Sequence, residues 1–385
     1  MMRPRSLLLT LPLCLGATLA AQQPVFSSHD EVESVLTEAG PVSVKQITDG
    51  LNHPWGIEFL PDGRMLVTER EGQLRILDRN GKLSRPIQGT PRVFHHGQGG
   101  LLDVALDPDY AQNGWIYLSF SEPGQGGAST ALGRGKLQDG RLEDFEVIFS
   151  QEPKIDGPNH FGGRIVFDGE GNLFLTLGER FQFDPAQDLS NHLGALIRIH
   201  PDGSVPEDNP FVDDADARDE IWSYGHRNVE SAALHPDTGD LWIAEMGPLG
   251  GDELNQPEKG HNYGWPVVSW GYHYNGSKIA EPPTHPEFTD AVKHYSPVIS
   301  PSGMVYYTGQ GFPEWQDSFF IGSLSGRQLV RVEVDGHEVA HEERIPLPDR
   351  IRDVEQGPDG YLYVITDKEN GAIWRLEPLL PPQQG

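Results

Sequence analysis

One short unit recurs six times along the chain: a hydrophobic residue, a turn rich in Pro, Asp and Gly, then a strand of large apolar residues ending in a polar group. It reads FLPDGRMLVTE from Phe59, LDPDYAQNGWIYLSFS from Leu106, FDGEGNLFLTLGE from Phe167, LHPDTGDLWIAE from Leu234, ISPSGMVYYTG from Ile299 and EQGPDGYLYVITD from Glu355. Gly, Asp and Pro supply the turn geometry, and Val, Ile, Leu, Tyr and Trp suit half-buried pleated strands. A glycine followed by an arginine-bearing strand forms a second element, as in GQLRILD from Gly72, GALIRIHPDG from Gly194, GRQLVRVEVDG from Gly326 and GAIWRLEP from Gly371. Intervals of roughly fifty to seventy residues suit one four-stranded blade with variable loops. A β-sandwich of this size would be unusually large, and a β-helix would repeat at far shorter intervals. The expected fold is all-β, a six-bladed β-propeller with four-stranded antiparallel blades over residues 42–380.

The ends of the chain read differently. Arg3 and Arg5 precede an apolar run from Leu7 to Ala20, followed by Gln22 and Gln23. That is the layout of a secretory signal peptide, expected over residues 1–21. The run is too short for a membrane span and is interrupted by Pro12. Residues 22–41 are polar and without period, as in a linker. The single cysteine, Cys14, lies inside the leader, so the exported chain is expected to hold together by its apolar core alone. Periplasmic or secreted localisation follows. The formal net charge of −28 argues against nucleic acid or an anionic membrane as partner.

In a propeller, loops at one end surround the axis, so distant residues can converge on one pocket. His160, in GPNHFGGR, has the chemistry of a general base near neutral pH, although a lone loop histidine among 15 is more often structural or merely exposed. Arg227 beside Asn228, in YGHRNVES, offers a fork of donors for a carboxylate or quinone oxygen, or a brace for the loop. Arg350 and Arg352, in RIRDVEQGPDG, point to the same side if extended, which calls for an anionic group between them. The run from Ala244 to Pro266 holds Asp252 and Glu253 as hard oxygen ligands and the Gly247 and Pro248 carbonyls as neutral ones, a donor set that suits calcium without EF-hand spacing. Gln98 sits in a glycine-rich loop, GQGGLLDVALDPDY, which by itself reads as a turn.

Taken in order, LNHPWGIEFLPDGRMLVTER, GQGGLLDVALDPDY, NHFGGRIVFDGEGNLFLTLGE, AQDL, YGHRN, GGDELN, GHNYGWP and RIRDVEQGPDGYLYVITD resemble the soluble PQQ-dependent aldose sugar dehydrogenases of the glucose/sorbosone dehydrogenase group. The resemblance runs from about Val44 to about Leu376. It implies a propeller that binds pyrroloquinoline quinone (PQQ) at the mouth of its axis and oxidises the C1 hydroxyl of aldoses to lactones, passing electrons to an unidentified acceptor. It further implies His160 as general base, Arg227 and Asn228 beside the reactive quinone, Gln98 as another cofactor contact, and Arg350 and Arg352 facing the cofactor carboxylates. The Gly247 and Pro248 carbonyls would hold a calcium ion touching the cofactor, and Glu253 and Tyr263 a second, structural one. Where the family often has lysine, this chain has Ser325, with Arg327 as the nearest replacement. Asn159 stands where some relatives carry aspartate beside the base. The compact loops imply an open sugar site. Two other readings are a calcium-dependent lactonase, which needs several acids at the axis, and a non-catalytic propeller binding sugar or protein, which has no need of His160 or the arginine pair.

Overall fold

The computed structural model describes Phe26 and residues 31–379; the expected signal peptide lies outside them. Six antiparallel sheets follow one another along the chain. Their first strands are Pro54–Phe59, Leu101–Leu106, Gly162–Phe167, Val229–Leu234, Pro301–Tyr307 and Ile351–Gln356. Each packs against the next and the last against the first, closing a ring around a central axis. The sheets are called blades 1 to 6 in this order.

The second strand of a blade is covered on both faces, which explains its unbroken apolar run. Met65–Glu69, Leu173–Leu177, Leu241–Glu245 and Leu362–Thr366 are buried at every position. The core lies between neighbouring blades: Trp242 and Leu254 of blade 4 pack against Phe319, Ile321 and Val330 of blade 5. Fully burying one such side chain contributes about 1.5–3 kcal/mol.

Blade 6 is made from both ends of the chain. Gly40–Leu51 pairs with Gly371–Pro378 in antiparallel register. Glu31–Thr37 then adds a fifth strand outside it, so part of the expected linker belongs to the propeller. Its alternation is masked by charge because it is an edge: Glu31 and Glu33 face solvent while Val35 and Thr37 turn inward, and charged edges discourage pairing with other chains. Blade 1 departs the other way, with three strands. There the fourth position is taken by an irregular segment that bonds from Ser84 and Ile87 to the third strand. The remaining four blades have the expected four strands.

Charge fills the centre of the ring. Arg164 is buried on the axis, with Nη1 3.1 Å from Asp103 and 2.9 Å from Asp353. Its remaining donors reach the carbonyls of Glu230 and Arg352, and its face covers Trp55 at 4.1 Å. Five of the six blades are thus tied by one guanidinium.

Candidate active site

First strands run away from one end of the ring and second strands return to it, so the loops before the former and after the latter share that end. Gln98, His160, Arg227, Asn228 and Arg350 lie in or beside entering loops; Gly247, Pro248 and Ser325 follow returning strands.

His160 is buried, in the left-handed region at φ 56°. Its backbone N–H donates to Gln98 Oε1 at 2.6 Å. Its Nδ1 lies 2.6 Å from Glu179 Oε1, which marks Nδ1 as the protonated nitrogen and leaves Nε2 as the acceptor. The other oxygen of Glu179 accepts the N–H groups of Gln182 and Phe183. Burial pushes the His160 pKa down, against the raising effect of Glu179, and the nearby Arg227 charge lowers it further. The imidazole is therefore neutral and basic at neutral pH. The close approach depends on Gly178, where a Cβ would stand 2.2 Å from the His160 carbonyl oxygen. Glu179 was not among the residues singled out from sequence. Its signal was the polar group ending each repeat: Glu69 and Glu245 end the second strands of blades 1 and 4, where blade 3 has Leu177 two residues before Glu179, and they accept the N–H groups of Asn52 and Arg227.

Arg227 is buried, with Nη1 donating to the Met246 and Gly247 carbonyls at 2.8 and 3.0 Å and Nη2 3.3 Å from the Tyr274 hydroxyl. Trp265 lies beneath it at 5.3 Å. Asn228 braces the floor: it accepts from Gly162 N and donates to Glu230.

Arg350 and Arg352 do converge on an anion, and it belongs to the chain. Asp367 Oδ2 accepts from Arg350 at 2.9 Å and lies 3.4 Å from Arg352, which also donates to Glu230 at 2.7 Å. Despite burial, the arginines hold the Asp367 carboxyl well below its ordinary range. Neither acid was foreseen.

Three expectations are corrected. Asp252 is not a free metal ligand: its oxygens accept the N–H groups of Gly247, Ile299 and Ser300, and burial raises its pKa to about 6. Arg327 does not replace the missing lysine, because its guanidinium turns outward to the Pro348 carbonyl. Ser325 is spent on the Ser300 hydroxyl. As for Asn159, orientation of the histidine beside it comes from Glu179.

The residues fit the groups that the resemblance implies. Nε of Arg227, of Arg352 and of Arg70, in the turn between the second and third strands of blade 1, are buried with no acceptor among the described residues, a surplus of donors suited to an anionic, oxygen-rich ligand. For calcium, the Gly247 carbonyl is shared with Arg227. Glu253 and Tyr263 line a small cavity with Ser269, Thr289 and Asp290. Burial and the Glu245 charge raise the Glu253 pKa well above normal. Among the described residues its one side-chain hydrogen-bond donor, Asn255, stands at 3.3 Å. The adjoining Asn255 Oδ1 and Gln256 Oε1 are buried with no donor among the described residues. Such a donor-poor set suits a hard cation. The Tyr263 hydroxyl itself is engaged, donating to the Gln256 carbonyl and accepting from Glu258 N.

The sequence profile described as Glucose / Sorbosone dehydrogenase matches residues 51–375. The chain belongs to this family. Among glucose/sorbosone dehydrogenase relatives, aldose sugar dehydrogenase YliI of Escherichia coli is 47% identical over 348 residues, 88% of this chain and 93% of that one. The crystal structure of the soluble E. coli aldose sugar dehydrogenase in its apo form superposes with a TM-score of 0.85 at 46% identity, covering 88% of this chain and 99% of that one. The PQQ-bound aldose sugar dehydrogenase of Streptomyces coelicolor gives 0.71 at 30% identity, covering 87% and 98%.

Proposed function

We propose that this member of the family oxidises aldoses at the C1 hydroxyl to the lactone, with PQQ as electron acceptor and calcium at the mouth of the propeller. The observation that carries the reading is the buried His160–Glu179 pair beside arginines with unanswered donors. PQQ, when bound, supplies a two-electron acceptor for the C1 hydrogen. The chain contributes the rest. His160 Nε2 takes the hydroxyl proton, while Glu179 fixes the tautomer and stabilises the cationic ring that results. Arg227, with Asn228 bracing the floor beside it, would meet the reactive edge, the donors that Arg350 and Arg352 do not spend on Asp367 and Glu230 would meet the carboxylates, and Gln98 positions the backbone of His160. Positive groups aimed where negative charge develops favour the transition state over the ground state. The Gly247 and Pro248 carbonyls would hold calcium beside the cofactor, and the Glu253 cavity a structural ion.

The test is to add PQQ and calcium to the purified protein and follow dye reduction with glucose. Reduction dependent on both supports the reading; no reduction, with hydrolysis of a lactone instead, overturns it. Chelation checks the structural ion separately. EDTA should lower the melting temperature of wild type and leave Glu253→Gln unchanged.

A further inference from the structure

Beyond the base and the arginines, the mouth carries two aromatic rings that the cofactor chemistry does not use. Phe181 is 38% exposed and Tyr274 62% exposed. Their centroids lie 6.5 Å apart and their planes differ by 33°, so they present a nearly continuous apolar surface. Phe181 meets the His160 ring edge-on at 5.2 Å. The Tyr274 hydroxyl is the partner of Arg227 Nη2.

The backbone under Phe181 is strained. Arg180, Phe181 and Phe183 all have positive φ, at 58°, 64° and 66°, where residues with a Cβ rarely settle. The strain is held by Glu179, whose second oxygen binds the N–H groups of Gln182 and Phe183. One carboxylate thus sets both the tautomer of His160 and the position of the ring next to it. A solvent-facing phenyl kept at such cost and registered to the base calls for a ligand that covers it.

We propose that Phe181 and Tyr274 form the sugar-binding wall of the site: Phe181 stacks on the C–H face of the ring being oxidised, and Tyr274 on a second ring attached to it, as in a disaccharide. The assignment rests on the proposed aldose oxidation. C1 must reach Nε2 of His160, which places the body of a pyranose against the adjacent Phe181. Tyr274, further out and more open, takes what extends beyond. The aliphatic C–H groups of a sugar pack on aromatic faces, while its hydroxyls keep their water at the open rim.

The experiment uses the PQQ- and calcium-loaded enzyme and the variants Phe181→Leu, which keeps apolar bulk, and Tyr274→Ala. kcat and KM are measured for glucose and maltose, and PQQ affinity by absorbance titration. F181L should raise KM for both sugars by about threefold to tenfold, the loss of one aromatic contact. Its kcat-versus-pH profile and PQQ affinity should stay as in wild type. Y274A should raise KM for maltose more than for glucose. The wall is refuted if KM for both sugars is unchanged in both variants, or if F181L alters only PQQ affinity. A wild-type enzyme inert toward both sugars would instead sink the aldose reading itself.

Discussion

Replacing Arg164 with methionine keeps most of the side-chain volume on the propeller axis and removes the positive charge that Asp103 and Asp353 share there. The structure sets the size of the effect. Both carboxylates are buried, with pKa values raised chiefly by that burial, Asp353 to about 6. Breaking a buried pair by deleting one partner costs about 3–5 kcal/mol. With an unfolding entropy near 2.1 cal/mol/K per residue over roughly 350 residues, each kcal/mol is worth about 1.4 °C, so the melting temperature should fall by about 4–7 °C at pH 8. The pH dependence has a definite sign. A carboxyl whose folded pKa is raised contributes stability below its unfolded value and loses it as pH rises through the folded value. Without Arg164 both carboxyls rise further, so the deficit of R164M should shrink between pH 8 and pH 5. Adding Asp353→Asn should recover part of it at pH 8. The assay is thermal melting followed by tryptophan fluorescence, since Trp55 lies under the guanidinium. A shift under 1 °C at pH 8, or a deficit that grows on acidification, would refute the reasoning.

Glu179→Gln should lower kcat by about 10²- to 10⁴-fold, because the tautomer of His160 is no longer enforced. Since Glu179 raises the His160 pKa, the acidic inflection of kcat/KM in this variant should move to lower pH. An unchanged profile would show that the glutamate does not control the base. On the far side of the axial arginine, Glu58 is pushed up to about 8, by burial first and then by the charges of Asp103 and Asp353, and Glu355 beside it is raised by burial and by Glu58. Glu58→Gln should therefore match wild type in stability below the ordinary carboxyl range. It should gain on wild type as pH rises and hold a constant lead past about pH 8, read by urea denaturation across pH.

Much of the architecture was legible because each blade repeats the same local chemistry: a turn that needs Gly, Asp or Pro, then a strand buried on both faces. Blade 1 and the edge of blade 6 escaped for the same reason in reverse. An irregular outer segment, or a charged outer strand such as Glu31–Thr37, buries too little to leave a period. In the site, residues flanked by distinctive loop motifs, His160 and Arg227 among them, could be named in advance. Their counter-charges could not. Glu230 lies 122 residues from Arg352, and nothing local joins the two. Asp252 misled because a carboxylate beside glycines looks the same whether it awaits a cation or is saturated by backbone N–H groups; only the fold brings Ile299 and Ser300 to it. Arg327 likewise had the right charge on the wrong side of its turn.

The pairing of Gly40–Leu51 with Gly371–Pro378 has a consequence for biosynthesis. Five sheets can form in succession as the chain emerges, but the hairpin of Glu31–Thr37 and Gly40–Leu51 must wait for Gly371–Pro378. Until then, the edge of Gly40–Leu51 that faces Gly371–Pro378 stands unpaired, although Glu31–Thr37 covers its other side, and an incomplete product cannot hide it. A ring joined this way fails visibly when it is truncated. Loss of the last eight-residue strand leaves two unpaired edges, at opposite ends of the sequence, for chaperones and proteases to find.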